Sequence, residues 1–225
     1  MDPARTSRRS NGWHCLRYDL AAFDFDGTLA DTLPWFESIL DDVADKYGFR
    51  KANAAERAEL RYRNAHDILK ILGVPLWKLP AIMAHVRQMM REVVPTVRLF
   101  DGIADALTRL RASGLRMTVL SSNSTANVQR VLGPQAEHWF DDFECGTDMF
   151  GKAAKLKRLL ARHQVAPQRC VLVGDEMRDI DAARKAGVQV ASVAWGYNHV
   201  DALRDHHPDD LILTVADLPV KLTQV

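Results

Sequence analysis

Two aspartates separated by one residue follow a short apolar run near the start of the chain. Asp24 and Asp26 lie in the segment Asp-Phe-Asp-Gly-Thr, directly after residues 20–23. A third acid, Asp175, follows a second apolar run at residues 170–173. In open parallel sheets, ligands bind beyond the carboxyl ends of the strands. We therefore expect these acids to meet at one site.

Carboxylates clustered in this way indicate a bound hard cation, because they would otherwise repel one another. Ligation by oxygen alone suits Mg²⁺, which keeps several waters and the substrate's phosphate in its shell. The Asp-x-Asp pair also supplies two catalytic roles, since one carboxylate can attack phosphorus while the other exchanges protons. A turn at Gly27 would bring the second carboxylate over the substrate. Taken alone the pair is a weak signal, because Asp-x-Asp-Gly also occurs in calcium loops and ordinary turns.

Two further residues are candidates for phosphate recognition. Ser121 ends the apolar run 115–120, where its hydroxyl and the following amides can hold phosphate oxygens. The alternative for a Ser-Ser-Asn sequence is a helix N-cap, which is the commoner role. Lys152 opens a helical pattern, where an acid would suit the helix dipole better than a base. It is therefore either a buried phosphate-binding lysine or an ordinary solvated residue.

The elements that would position these residues alternate between apolar runs and helical patterns. The apolar runs, which predict strands buried on both faces, are residues 20–23, 115–120, 170–173, 188–194 and 211–213. The patterns with helical spacing between them are residues 103–110, 152–163 and 180–186. This alternation predicts an α/β fold with a doubly wound parallel sheet.

Residues 32–95 break the alternation, because they contain helical patterns and no strand pattern. Pro34 can begin a helix, and Asn53 with Glu56 forms a candidate capping pair for the next one. A Met-rich helical pattern follows at residues 79–94. This segment is predicted to be an all-helical cap inserted into the α/β core.

The predicted core is residues 18–31 together with 96–225, preceded by a flexible tail at residues 1–17. A chain of 225 residues is long enough for a sizeable core plus a small insertion. Its composition, 47% hydrophobic and 26% charged, is that of a soluble globular protein, and no apolar run reaches the roughly 18 residues of a membrane span. The net charge of +1 gives no field that would recruit nucleic acid or an anionic membrane. We expect a cytoplasmic protein, and the sequence favours no particular oligomeric state.

Cysteine usage indicates neither a disulfide framework nor a zinc site. The three cysteines, Cys15, Cys145 and Cys170, are far apart and form no Cys-x-x-Cys pair. Cys170 opens an apolar run, where it is expected to be buried as a small apolar residue. Metal chemistry is therefore expected from the carboxylates alone.

Together these segments resemble the haloacid dehalogenase-like hydrolase superfamily, in particular its phosphoglycolate phosphatase-like branch. Residues 24–32, Asp-Phe-Asp-Gly-Thr-Leu-Ala-Asp-Thr, are similar to the first motif of that family. Ser121 matches the second motif, Lys152 the third, and residues 174–179, Gly-Asp-Glu-Met-Arg-Asp, the fourth. Four motifs in the family's order make the resemblance specific, and it implies a Rossmann-like core with a cap.

The resemblance implies a phosphoaspartyl intermediate on Asp24, with Asp26 as acid and base. It further implies that Lys152 orients Asp24 and that Ser121 binds the transferring phosphoryl group. The residues implied to hold Mg²⁺ are Asp24, the backbone carbonyl of Asp26, Asp175 and, as a nearby ligand, Asp179.

The function expected from this resemblance is Mg²⁺-dependent hydrolysis of a small phosphorylated metabolite, with phosphoglycolate as the family-based candidate. The acid at Asp26 disfavours dehalogenation, because dehalogenating relatives lack it. Two alternatives stay open: a phosphosugar mutase of the same fold and a non-catalytic phosphate-binding regulatory module. In the cap, Arg57, Arg61, Arg63 and His66 are candidates for a substrate's second anionic group, with a solvated helix face as the more ordinary interpretation.

Overall fold

The computed structural model describes residues 16–146 and 151–224 of the chain. The predicted flexible tail, residues 1–17, therefore lies outside the described residues except for its last two positions. Cys15 lies outside them as well. Cys170 is buried, as its position in an apolar run predicts.

The core of the fold is a parallel six-stranded sheet with the strand order β3-β2-β1-β4-β5-β6. The strands are β1 (Leu20–Phe23), β2 (Arg116–Leu120), β3 (Asp142–Glu144), β4 (Cys170–Gly174), β5 (Gln189–Val193) and β6 (Asp210–Ile212). Five of them coincide with the predicted apolar runs, and the predicted α/β parallel sheet is confirmed. Strand β3 was not predicted, because it is three residues long, half-buried and acidic at both ends.

The helices of the described residues include every predicted helical pattern and several helices that were not predicted. They are α1 (Leu33–Tyr47), α2 (Ala54–Leu60), α3 (Ala65–Ile71), α4 (Leu79–Val93), α5 (Ile103–Ala112), α6 (Thr125–Leu132), α7 (Ala136–Trp139), α8 (Lys152–His163), α9 (Met177–Ala186), α10 (Val200–Asp205) and α11 (Leu218–Thr223). Pro34 lies in the first turn of α1, where its missing N–H leaves no helical bond unmade. Asn53 and Glu56 form the predicted capping box of α2.

Helices cover both faces of the sheet, which explains why its central strands are continuous apolar runs. In β1, Ala21 and Phe23 join one buried cluster, while Leu20 and Ala22 join another on the opposite face. All four residues are buried. A strand enclosed in this way cannot alternate apolar with polar residues. Because helices pack on both of its faces, the carboxyl end of β1 is held in a fixed position.

Helices α1–α4 lie between β1 and α5 in the chain. Residues 32–95, all of which the structure describes, form helices and no strand. A small apolar cluster of their own holds them together, made of Ala52, Leu69, Leu72, Val74 and Leu79. The exact cap and core boundaries stay a prediction.

The described residues contain no single helix long and apolar enough to cross a membrane. Two neighbouring helical segments, Ala65–Ile71 and Leu76–Thr96, are long and apolar enough only when taken together. The chain bends by 111° between them.

Candidate active site

The structure brings three of the predicted acids together at the carboxyl edge of the sheet. Strands β1 and β4 are hydrogen-bonded neighbours, so Asp24 and Asp175 follow adjacent strand ends. Asp179 joins them from the first turn of α9. One carboxylate oxygen from each lies within 4.8 Å of the others, and all three residues are buried.

Lys152 is the cation nearest to this cluster. It begins α8, is 2% exposed, and forms ion pairs with Asp24 Oδ2 and, at 2.6 Å, with Asp179 Oδ1. The second Asp24 oxygen, Oδ1, accepts a 2.7 Å hydrogen bond from the backbone N–H of Phe25. Lys152 is therefore a buried partner of two acids, which rules out the interpretation as a solvated helix residue.

Asp175 is held in a fixed orientation by the loops on either side of it. Thr28 Oγ1 donates a 2.6 Å hydrogen bond to its Oδ1, and the N–H of Tyr197 donates a 2.7 Å bond to its Oδ2. Gly27 adopts the predicted turn with φ of 77°, and a Cβ at that position would lie 2.2 Å from Asp175 Oδ2. A Cβ at Gly196 would lie 2.2 Å from the Cβ of Asp175. Both loops can approach the carboxylate this closely only as glycines.

Asp26 is not part of the cluster of three acids, and its carboxylate contacts the segment that follows β2. Asn123 Nδ2 donates to both of its carboxylate oxygens, at 3.3 and 3.2 Å. Desolvation raises the pKa of Asp26 above its usual value, although hydrogen bonds from Asn123 and Thr32 oppose the rise. A carboxyl group that retains its proton more readily is suited to donate one to a leaving group.

Ser121 directly follows β2 and is fully buried. Its Oγ accepts a 3.0 Å hydrogen bond from the N–H of Asn123, which closes a tight turn. The N-cap of α6 is Ser124, whose side chain accepts from the N–H of Asn127, so the N-cap interpretation of Ser121 and Ser122 is wrong. This turn places the Ser121 hydroxyl close to Asn123, the residue whose side chain donates to Asp26.

The donor set at the strand ends fits a hard divalent cation. Burial raises the pKa of Asp24 to about 7 against the opposing charge of Lys152, and burial raises the pKa of Asp175 well above its usual value. Lys152 offsets only part of the charge of the three buried carboxylates, and a bound cation would offset more of it. The ligand atoms are oxygens, as Mg²⁺ prefers.

Several polar residues around the predicted site were not assigned a role from the sequence. Thr28, Asn123 and Tyr197 orient the acids through the hydrogen bonds described above. Arg178 forms an ion pair with Glu176, with Nε 2.8 Å from Oε1. Glu176 and Arg178 both lie between Asp175 and Asp179 in the fourth motif. Their position in that motif was the signal by which the sequence could have identified them.

The cap is fastened to the core beside the site. Arg61 donates from Nε to the carbonyl of Tyr197 and from Nη2 to the carbonyl of Gly196, both at 2.9 Å. In return, Asn198 Nδ2 donates to the carbonyl of Arg61 at 2.8 Å. The ring of Tyr62 stacks on His199 with centroids 4.3 Å apart. The loop that orients Asp175 is therefore also the loop that holds the cap.

Replacing Lys152 by methionine is expected to lower the free energy of unfolding by about 3 kcal/mol, because a buried ion pair that loses one partner leaves a charge uncompensated. Urea denaturation with EDTA present measures the change. Lys157→Met, on the exposed side of the same helix, is the control and is expected to change little. Equal stability of the two variants would contradict the role of Lys152 in neutralising Asp24 and Asp179.

Comparison with known proteins gives one family for most of this chain. The model of a family described as haloacid dehalogenase-like hydrolase matches residues 21–193. The chain is 34% identical to a phosphoglycolate phosphatase of Synechococcus elongatus, over 90% of this chain and 96% of that protein. It is 27% identical to the tyrosine-protein kinase PtkA of Mycobacterium tuberculosis over 81% of its length, and spans 64% of that kinase. A solved structure of a predicted phosphatase from Clostridium acetobutylicum matches the fold with a TM-score of 0.76 at 16% identity, covering 91% of this chain and 97% of that one.

Proposed function

The chain belongs to the haloacid dehalogenase-like hydrolase family, and from this membership we propose that it is a Mg²⁺-dependent phosphatase of a small phosphorylated compound. The observation that carries the proposal is the buried contact of Asp24 with Lys152 beside Asp175 and Asp179. The similarity to a phosphoglycolate phosphatase over nearly the whole chain supports the same reaction class. The acid at Asp26 supports hydrolysis of a phosphate ester over dehalogenation.

In the proposed first step, Asp24 attacks the phosphorus of the bound ester. A bond forms between its carboxylate oxygen and phosphorus, and the bond from phosphorus to the alcohol oxygen breaks. Asp26 donates its proton to that oxygen, so the product leaves as a neutral alcohol. Lys152 holds the nucleophilic carboxylate in place, and Ser121 contributes its hydroxyl to the phosphoryl oxygens.

The second step returns the enzyme to its starting state. Asp26, now deprotonated, accepts a proton from a water molecule as the water oxygen attacks phosphorus. The bond from phosphorus to Asp24 breaks, and inorganic phosphate leaves. Asp26 ends the cycle protonated, so no other proton donor is needed. Because Asn123 holds both oxygens of the Asp26 carboxylate, the group stays at one place through both steps.

We further propose that Mg²⁺ is held by Asp24, the backbone carbonyl of Asp26 and Asp175. A bound Mg²⁺ would offset the repulsion between the nucleophile and the phosphate and would orient the phosphoryl group. Asp179 accepts hydrogen bonds at both oxygens, from Lys152 and from the N–H of Glu176. Its proposed role is therefore to position Lys152 as well as to add negative charge beside the ion.

Release of inorganic phosphate from a panel of phosphorylated metabolites tests the proposed function. We expect release with Mg²⁺ and none with EDTA, restored when Mg²⁺ is added back in excess. Free phosphate distinguishes hydrolysis from transfer to another acceptor. Conversion of one sugar phosphate into another that depends on added sugar bisphosphate, without phosphate release, would favour the mutase instead. Phosphate release unaffected by EDTA would contradict the metal site.

A further inference from the structure

A cavity of about 300 Å³ lies between the cap helices and the core, and Asp26 forms part of its wall. Ser122 and Asn123 line the same end, so the cavity begins at the group proposed to protonate the leaving alcohol. Away from this end, most of the wall is formed by hydrocarbon and aromatic side chains of the cap, including those of Phe36 and Met83. The leaving group of a substrate bound at Asp24 would extend into this apolar space.

The arginines that line the cavity, which include Arg178 with its ion pair to Glu176, are engaged by the protein itself. Arg57 donates to the carbonyl of Glu37 at 2.9 Å and forms an ion pair with Asp41. Arg61 binds carbonyls of the loop after β5, as described above, and Arg87 Nε donates to the carbonyl of Ser122 at 2.6 Å. A carboxylate on the leaving group would therefore have to compete with these bonds for the guanidinium groups. Burying an unpaired carboxylate is strongly unfavourable.

We propose that the substrate is a phosphate monoester of an apolar alcohol, whose hydrocarbon group occupies the cavity while its phosphoryl group lies at Asp24. This inference rests on the proposed function and narrows its substrate class. It disfavours phosphoglycolate, because the group that phosphoglycolate would place in the cavity is a carboxylate. An apolar group gains affinity from every methylene that leaves water, whereas the carboxylate loses its hydration.

A series of n-alkyl phosphates from ethyl to hexyl tests the inference, because the alkyl group changes while the reacting atoms stay the same. We expect kcat/KM to rise about fourfold per methylene until the cavity is filled, and to exceed that of phosphoglycolate. A flat series, or a preference for phosphoglycolate, would overturn the substrate class and leave the phosphatase activity established. No phosphate release from any compound, metabolites included, would overturn the proposed function as well.

Two methionines of α4 provide a matched pair of variants. Met83 and Met89 are both half-buried on this helix, and only Met83 is among the residues that line the cavity. In Met83→Lys, the ratio of kcat/KM for hexyl phosphate to that for ethyl phosphate is expected to fall at least about tenfold, because a charge enters the apolar space. In Met89→Lys the ratio should stay as in the unaltered protein. Equal ratios in both variants would contradict the placement of the alkyl group in the cavity. If Met83→Lys does not fold, the alkyl phosphate series on the unaltered protein decides whether the proposed substrate class is correct.

Discussion

Replacing Asp24 by asparagine is expected to lower kcat by at least about 10⁴-fold while the protein stays folded. Asparagine has nearly the same shape, but its amide is not a nucleophile towards phosphorus. The substitution also leaves Lys152 with a partner, since Asp179 remains 2.6 Å from its Nζ. Phosphate release under saturating substrate measures the loss, and circular dichroism with thermal unfolding checks the fold.

Asp31→Asn is the matched control for this experiment. Asp31 lies in the same motif, but it is exposed and belongs to neither the acid cluster nor the cavity wall. Its replacement is expected to leave kcat within about twofold, as surface substitutions away from a site usually do. Turnover retained in Asp24→Asn would remove Asp24 as the nucleophile.

Replacing Asp26 by asparagine is expected to lower the rates of both chemical steps by about 10²- to 10⁴-fold. Asparagine can neither donate the proton to the leaving alcohol nor accept one from water. Rapid-quench experiments in a single turnover measure formation and breakdown of the intermediate separately. With an ester of a poor leaving group, a defect confined to one step would contradict the double role of Asp26, and unchanged rates would remove it altogether.

The effect of the Asp26 substitution depends on the leaving alcohol, which gives an internal control. An ester whose alcohol is already a good leaving group needs little help from an acid in the first step. For such an ester, formation of the intermediate should be nearly normal in Asp26→Asn, while breakdown stays slow. An equal loss of formation rate with good and poor leaving groups would indicate that the substitution disturbs binding instead.

The strands that carry the acids could be predicted because they are buried on both faces. In the sequence, such strands are unbroken apolar runs, and the acid that follows each of these runs marks the carboxyl end of its strand. Strand β3 lacked that signal. Its acidic residues Asp142 and Glu144 both pair with Arg162, and only Phe143 between them packs against the core.

The meeting of Asp24 and Asp175 was predictable from the strand ends that they follow, and Asp179 was implied by the family resemblance, but the environment of Lys152 was not predictable. A lysine in the first turn of a helix can be solvated or buried, and only its contacts with Asp24 and Asp179 decide the matter. The partners of the cap arginines could not be predicted from the sequence either. Arg57 and Arg61 were candidates for a substrate's anionic group, and they bind carbonyl oxygens of the chain instead.

The central claim is that Asp24 carries the phosphoryl group during turnover, and mass spectrometry of the trapped intermediate tests it most directly. The Asp26→Asn variant is mixed with Mg²⁺ and the best substrate of the panel, quenched in acid, and digested. We expect one added phosphoryl group on the peptide that contains Asp24, and none when the Asp24→Asn substitution is also present. Phosphate release without any phosphorylated peptide, or a phosphoryl group on another residue, would contradict the mechanism.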